Sequence, residues 1–186
     1  TAQRIRETVR RIFEVNPNVV LITFGGEHLI TLPILEALPK EVDVVQFDAH
    51  KDMRSEFLGN VYAHNTWAYH ASKLKNVKRI VQIGVRSFSE EEGKIKVSEF
   101  EEIEGPVYVT FDLDVLDPSI APEVMNPEPN GMQLTDVFNI VKDVVKKGVV
   151  GFDIVECTAT SPLQLTPNIA ADLVLKFLSY LCQRIS

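Results

Sequence analysis

Five short apolar runs rich in β-branched residues punctuate this chain, at 19–24, 42–47, 79–85, 107–111 and 149–155. Regular polar/apolar alternation would mark strands with one wet face. Its absence marks strands covered on both faces, as in a parallel sheet. Amphipathic stretches lie between several of them. Ile5, Val9, Ile12 and Phe13 recur on one face before Asn16-Pro17, and Val137, Ile140, Val141 and Val144 do so within 134–147; further helices are expected at 29–38 and 169–181. Strands alternating with helices pair in parallel through crossovers. The expectation is one α/β domain over residues 1–186: three layers, a mostly parallel sheet, and helices on both faces.

Composition narrows the function classes. Of 186 residues, 45% are hydrophobic, enough for a substantial core and too many for a disordered chain. The two cysteines, Cys157 and Cys182, exclude a disulfide scaffold and fit a reducing compartment. No apolar run approaches the roughly 18 to 20 residues that span a bilayer. The opening Thr1-Ala2-Gln3-Arg4-Ile5-Arg6 lacks the apolar centre of a signal peptide, so a cytoplasmic location is expected. A net charge of -7 argues against nucleic acid, no membrane partner is expected, and there is room for a cationic ligand. Glu90-Glu91-Glu92 and Glu101-Glu102 read as solvated surface.

Ligands of parallel α/β sheets bind beyond the carboxyl ends of the strands, so the residues after each run carry the information. Four of the five runs end in chemistry. Phe24 is followed by Gly25-Gly26-Glu27-His28, Phe47 by Asp48-Ala49-His50-Lys51-Asp52, Phe111 by Asp112-Leu113-Asp114, and Val155 by Glu156. Carboxylates crowded along one edge repel one another unless protons or cations sit among them. Metal is the economical explanation. Aspartates with imidazoles form an oxygen and nitrogen site suited to Mn²⁺, and no cysteine pair is available for a softer ion. Asp48 and Asp112 could bridge two ions, with Asp52, His50, Asp114 and His28 completing the sets. Ions about 3.5 to 4 Å apart can hold a bridging hydroxide and polarise a substrate together.

Each piece alone has an ordinary role: Gly25-Gly26 as a turn, an acid after a strand as a helix cap, His28 as the start of a helix. Asp112 and Asp114 alone would say only divalent cation. Coincidence explains the combination poorly, because two of the four histidines, His28 and His50, and the acids beside them fall at strand ends.

Gly25-Gly26-Glu27-His28, Asp48-Ala49-His50-Lys51-Asp52 and Thr110-Phe111-Asp112-Leu113-Asp114-Val115-Leu116-Asp117-Pro118 resemble, in order and approximate spacing, the three metal signatures of the ureohydrolase family of arginases and agmatinases. Glu27 stands where Asp is commoner. Ala121-Pro122, Pro127-Glu128-Pro129 and Asp153-Ile154-Val155-Glu156 match as well. The resemblance implies an arginase-like fold with two Mn²⁺, although other divalent ions would suit the same donors. One ion would be held by His28, Asp48, Asp52 and Asp112, the other by Asp48, His50, Asp112 and Asp114. Four of the negative charges would then be offset. The family carries a further N-terminal segment, with a strand, ahead of its first signature, and this chain is expected to lack it.

The implied chemistry is hydrolysis of a small cationic guanidinium substrate, whose delocalised charge makes its carbon a poor electrophile. By the same resemblance, Asp52 accepts a proton, His64 shuttles one to the departing amine, and Glu156 accepts charge-assisted hydrogen bonds from the guanidinium. His64 alone could simply start a helix. The segment Asn60-Val61-Tyr62-Ala63-His64 looks more like agmatinases than arginases, so agmatine, giving putrescine and urea, is the expected substrate. Aminopropylagmatine, guanidinobutyrate, arginine and formiminoglutamate stay open, as does a metal-binding but catalytically silent member. Guanidinobutyrate and formiminoglutamate need a cationic contact, for which Lys51 and Arg54 are available. After His64, agmatinases usually have Gly or Ala and no Trp, whereas this chain has Asn65-Thr66-Trp67. His70 is expected to be exposed, Cys157 to be a small buried residue, and the protein to assemble as a homotrimer or homohexamer like the family.

Overall fold

The computed structural model describes residues 1–185. Its strands are β1 (Leu21–Phe24), β2 (Val42–Phe47), β3 (Val77–Ile83), β4 (Val107–Asp112) and β5 (Val149–Val155). They form one sheet in the order β1-β5-β4-β2-β3, every neighbouring pair parallel. The helices are α1 (Ala2–Val15), α2 (Thr31–Ala37), α3 (Trp67–Ala71), α4 (Glu90–Gly93), α5 (Leu134–Lys146) and α6 (Leu165–Ile185).

Successive strand residues point to opposite faces, and the apolar runs divide accordingly, except that β5 switches face at Val150, the extra residue in its register with β4. Val42, Val44, Ile80, Tyr108 and Val150 pack with Val9 and Phe13 of α1, Leu32, Ile34 and Leu35 of α2, and Trp67 and Ala68 of α3. Val45, Phe47, Val109, Phe111, Phe152 and Ile154 pack with Val137, Val141 and Val144 of α5 and Leu173 and Phe177 of α6. The expected three layers are present. Each buried side chain of this size contributes about 1.5–3 kcal/mol. The Phe152 and Phe177 rings, stacked 4.4 Å apart, join β5 to α6.

The departures from expectation have local causes. β1 starts at Leu21 and pairs only with β5, so it is an edge strand, and Phe24 is 69% exposed rather than covered on both faces. β3 spans 77–83 rather than 79–85, because the chain turns at Gly84 with φ +88°. The stretch from 29 divides into a single 3₁₀ turn, His28–Ile30, followed by α2. α6 starts four residues early because Pro167 lies in its first turn, where proline is tolerated, and Glu123 accepts the Thr166 amide.

The order of connections creates the crevice for the site. From β2 the chain crosses to β3 on one side, and from β4 to β5 on the other, so β2 and β4 flank a topological switch point. Phe47 pairs with Phe111, so the next residues, Asp48 and Asp112, reach the sheet edge side by side. Asp112 pairs in turn with Val155, the residue before Glu156.

Candidate metal centre

The three motifs converge at this edge. His28 opens the 3₁₀ turn after β1 and is 1% exposed; its Nδ1 lies 3.2 Å from Asp48 Oδ2, 3.2 Å from Asp112 Oδ2 and 3.4 Å from Asp52 Oδ2. Beside this inner group lies an outer one. His50 Nδ1 is 2.9 Å from Asp114 Oδ2 and 3.6 Å from Asp48 Oδ1. Asp48 therefore presents one oxygen to each group. Asp112 turns Oδ2 to the inner group, while its Oδ1 accepts the Asp114 amide at 2.9 Å. The Asp48 and Asp114 carboxylates also accept the amides of His50 and Ala49, which locks the second motif against the third.

The hydrogen-bond chain behind His28 shows which ring nitrogen faces the acids. Asp153, in the middle of β5 and fully buried, accepts O–H bonds from Thr110 at 2.6 Å, Tyr108 at 2.7 Å and Thr31 at 3.0 Å. Because Thr110 spends its one proton on Asp153, its oxygen accepts from His28 Nε2, 2.8 Å away. Nε2 thus carries a proton, and Nδ1 is directed at three carboxylates. Nδ1 is buried and has no hydrogen-bond partner. A buried nitrogen facing converging oxygens is what a divalent cation would satisfy, and a donor set of carboxylates and imidazole is hard to borderline in character. The donor atoms of His28, Asp48 and Asp112 lie within 4.8 Å of one another, as do those of Asp48, His50 and Asp114, so the residues fit a pair of ions.

Electrostatics of the metal-free cluster agree. Burial alone would depress both imidazoles, but the Asp112 and Asp48 carboxylates facing its ring hold His28 well above the ordinary histidine value, and those of Asp114 and Asp48 push His50 up to about 11. Burial followed by the charge of Asp48 holds Asp52 and Asp112 well above the carboxylate range, and burial raises Asp114. Asp48 goes the other way despite its burial, because both histidines bond to it. Without cations, the cluster keeps protons among its acids.

Two residues here have left-handed backbones: Asp52 at φ 54° and Glu156 at φ 64°. For Glu this conformation costs about 1–3 kcal/mol. It brings the Glu156 carboxylate back over the centre, where Oε1 accepts the His28 amide at 2.7 Å. Burial raises the Glu156 carboxyl. Asp52 Oδ2 accepts Trp67 Nε1–H at 2.9 Å, and the Trp67 ring, fully buried, stacks 4.7 Å from His28. Trp67 thus supports the centre from beneath.

A cavity of about 220 Å³ opens above the cluster, lined by residues that include His64, Asn65, Glu156, Arg54, Phe88 and Met125. His64 begins a 3₁₀ turn at its rim, with Nδ1 3.9 Å from Glu27 Oε1. Lys51 and Arg54 line the wall and are already engaged, the Lys51 ammonium by the Ile95 carbonyl and Arg54 Nε by Glu92. Asn65 Oδ1 is buried without a partner.

Three expectations need correction. Glu92 is 3% exposed rather than solvated: it accepts the Met53 and Ser89 amides as well as Arg54. The Ser89-x-x-Glu92 capping box was the available signal. His70 is partly buried, bonded to the Val61 carbonyl and set between the Tyr62 and Tyr69 rings. Cys157 is only partly buried, against the α5/α6 core.

The sheet is parallel α/β and bears at its switch point a carboxylate–imidazole cluster that could hold divalent cations. The arginase family model matches residues 1–104 and 96–179, and the chain belongs to that family. It is 35% identical over 175 residues to the N(1)-aminopropylagmatine ureohydrolase of Thermococcus kodakarensis (84% of this chain, 60% of that one) and 33% identical over 181 residues to the mitochondrial arginase of Medicago truncatula (83% and 53%). Its fold superposes on the agmatine ureohydrolase of Thermoplasma volcanium with a TM-score of 0.82 at 34% identity, covering 97% of this chain and 69% of that one. The chain spans 53–61% of the length of the first curated relatives it matches. Among the described residues, no helix is long and apolar enough to cross a membrane.

Proposed function

We propose that this chain hydrolyses a guanidinium substrate at a two-ion centre, with Mn²⁺ in both positions and agmatine as the substrate. The observation that carries the reading is Asp48, whose two oxygens serve two neighbouring donor groups directly beneath the Glu156 carboxylate. His28 and Asp52 would help to hold the inner ion and His50 and Asp114 the outer one, with Asp48 and Asp112 as the residues that would be shared. Bound there, divalent ions supply acidified water at neutral pH and neutralise developing negative charge.

The chain's own residues do the rest. Glu156 Oε1 accepts one backbone amide, and the carboxylate retains acceptor sites for the N–H groups of a guanidinium, fixing its carbon above the centre. Asp52 holds the proton released as the carbon becomes tetrahedral. His64, at the rim, delivers a proton to the departing amine.

An amine-bearing substrate is supported by the cavity wall. Asn65 offers an unused buried acceptor, while Lys51 and Arg54, which line the cavity, already donate to the Ile95 carbonyl and, through Nε, to Glu92. Relatives that carry the names of agmatine and aminopropylagmatine ureohydrolases support the same class. The test is urea release with added Mn²⁺ from agmatine, N1-aminopropylagmatine, arginine and guanidinobutyrate. Agmatine is expected to give the highest kcat/KM; urea from none of them, with two ions bound, would leave a silent metal-binding protein.

A further inference from the structure

Arg86 has no part in the chemistry above, yet its guanidinium faces six backbone carbonyls. Nε donates to Pro129 at 3.0 Å; Nη1 to Gly84 at 3.1 Å and Val115 at 3.2 Å; Nη2 to Asp114 and Glu128, both at 2.8 Å, and to Leu116 at 3.5 Å. Resting on the two-ion reading, we infer that Arg86 is the positioning residue of the outer metal site, holding Asp114 and the Glu128 loop against His50.

Three segments that are distant in sequence meet at this one side chain. The first is the chain after β3, which carries Arg86 itself; the Arg86 and Ser87 amides both donate to the Ala49 carbonyl at 2.9 Å, next to His50. The second is the turn 113–116, whose Asp114 side chain lies 2.9 Å from His50 Nδ1. The third is the loop through Glu128 and Pro129. Glu128 Oε1 lies 3.4 Å from His50 Nε2, so the two sides of the imidazole are faced by segments that Arg86 joins.

Glycines make the approach possible. A Cβ on Gly84 would strike Val115, and one on Gly131 would strike the backbone of Leu116 and Asp117. The turn 113–116 is therefore pressed between two chains with no side chain in the way. Carbonyls brought together in this manner repel one another unless a donor sits among them. Guanidinium has five N–H donors in a rigid plane, which suits a ring of acceptors, whereas a lysine ammonium has three and no planar fork. None of the Arg86 hydrogen bonds goes to His28, Asp48, Asp52 or Asp112, and His28 is held by Thr110 and Asp153 instead.

The test is Mn²⁺ titration of the metal-free chain, read as stepwise affinities, for wild type, Arg86→Lys, Arg86→Met, Asp114→Asn and the Arg86→Met/Asp114→Asn pair. Wild type should take two ions. Both Arg86 variants should keep one at unchanged affinity and hold the other about 10- to 100-fold more weakly, the range for losing an outer-shell partner. In the Asp114→Asn background, Arg86→Met should not further weaken the remaining ion. Arg86→Lys retains the charge and decides the matter if Arg86→Met fails to fold. Two unchanged affinities in a folded Arg86 variant, or equal loss at both sites, would overturn the inference while leaving the two-ion reading intact. Fewer than two ions on wild type would overturn that reading and the inference with it.

Discussion

The inner and outer halves of the centre are built by opposite means. The inner half stands mainly on regular structure: Asp48 and Asp112 at strand ends, His28 fixed by Thr110 and Asp153 on β4 and β5, and only Asp52 in a loop, where Trp67 bonds it, every group buried. The outer half stands on turns. Its histidine is 24% exposed in the side chain, and its carboxylate sits in a turn held by carbonyl contacts to one arginine. The sheet fixes the first half by register, whereas the second needs long-range hydrogen bonds to hold loops that no sheet constrains.

Removing the group the halves share should have the largest effect. Asp48→Ala is expected to abolish binding of both ions and to lower urea release by at least ~100-fold, beyond the usual cost of an outer-shell change; a variant that retains two ions by elemental analysis would break the comparison at its centre. Glu156→Gln belongs to neither half. It should leave metal content unchanged and reduce kcat/KM by about 10- to 100-fold, the value of a charge-assisted hydrogen bond, and loss of metal instead would reassign it.

Asp153→Asn sharpens the contrast from the inner side. Substituting an acceptor that serves three hydroxyls should cost about 1–3 kcal/mol of stability in thermal unfolding without metal. It should also weaken one ion about 10-fold by freeing the His28 ring. Weakening of the outer ion instead would contradict the separation. The smallest effect is on pH dependence. His50 is pushed up to about 11 and His28 is raised, so both imidazoles hold protons at neutral pH when metal is absent. Ions compete with those protons, so affinity should increase with pH between about 6 and 8. Calorimetry in buffers of different ionisation enthalpy should show net proton release; proton uptake would contradict the cluster's charge state.

The same division explains what could be read from sequence. Strand runs and the acids after them exposed the layers and the inner half, because a buried parallel strand has a compositional signature and its end is a fixed place. Asp153 stands in a segment that resembles the family's, but its role is not legible there, because it depends on hydroxyls from three other positions. Arg86 gave no signal, since its partners are backbone carbonyls, which have no residue identity to read. Glu92 was misread through its exposed neighbours although the capping spacing was present, and His70 was misplaced because its aromatic contacts come from tertiary packing.

The most direct measurement is the electron paramagnetic resonance spectrum of the Mn²⁺-loaded chain, with the bound ions counted in the same sample. Two ions per chain with the exchange-coupled signal of neighbouring Mn²⁺ are expected, because Asp48 presents one oxygen to each donor group. A single ion, or two with uncoupled spectra, would contradict a shared centre.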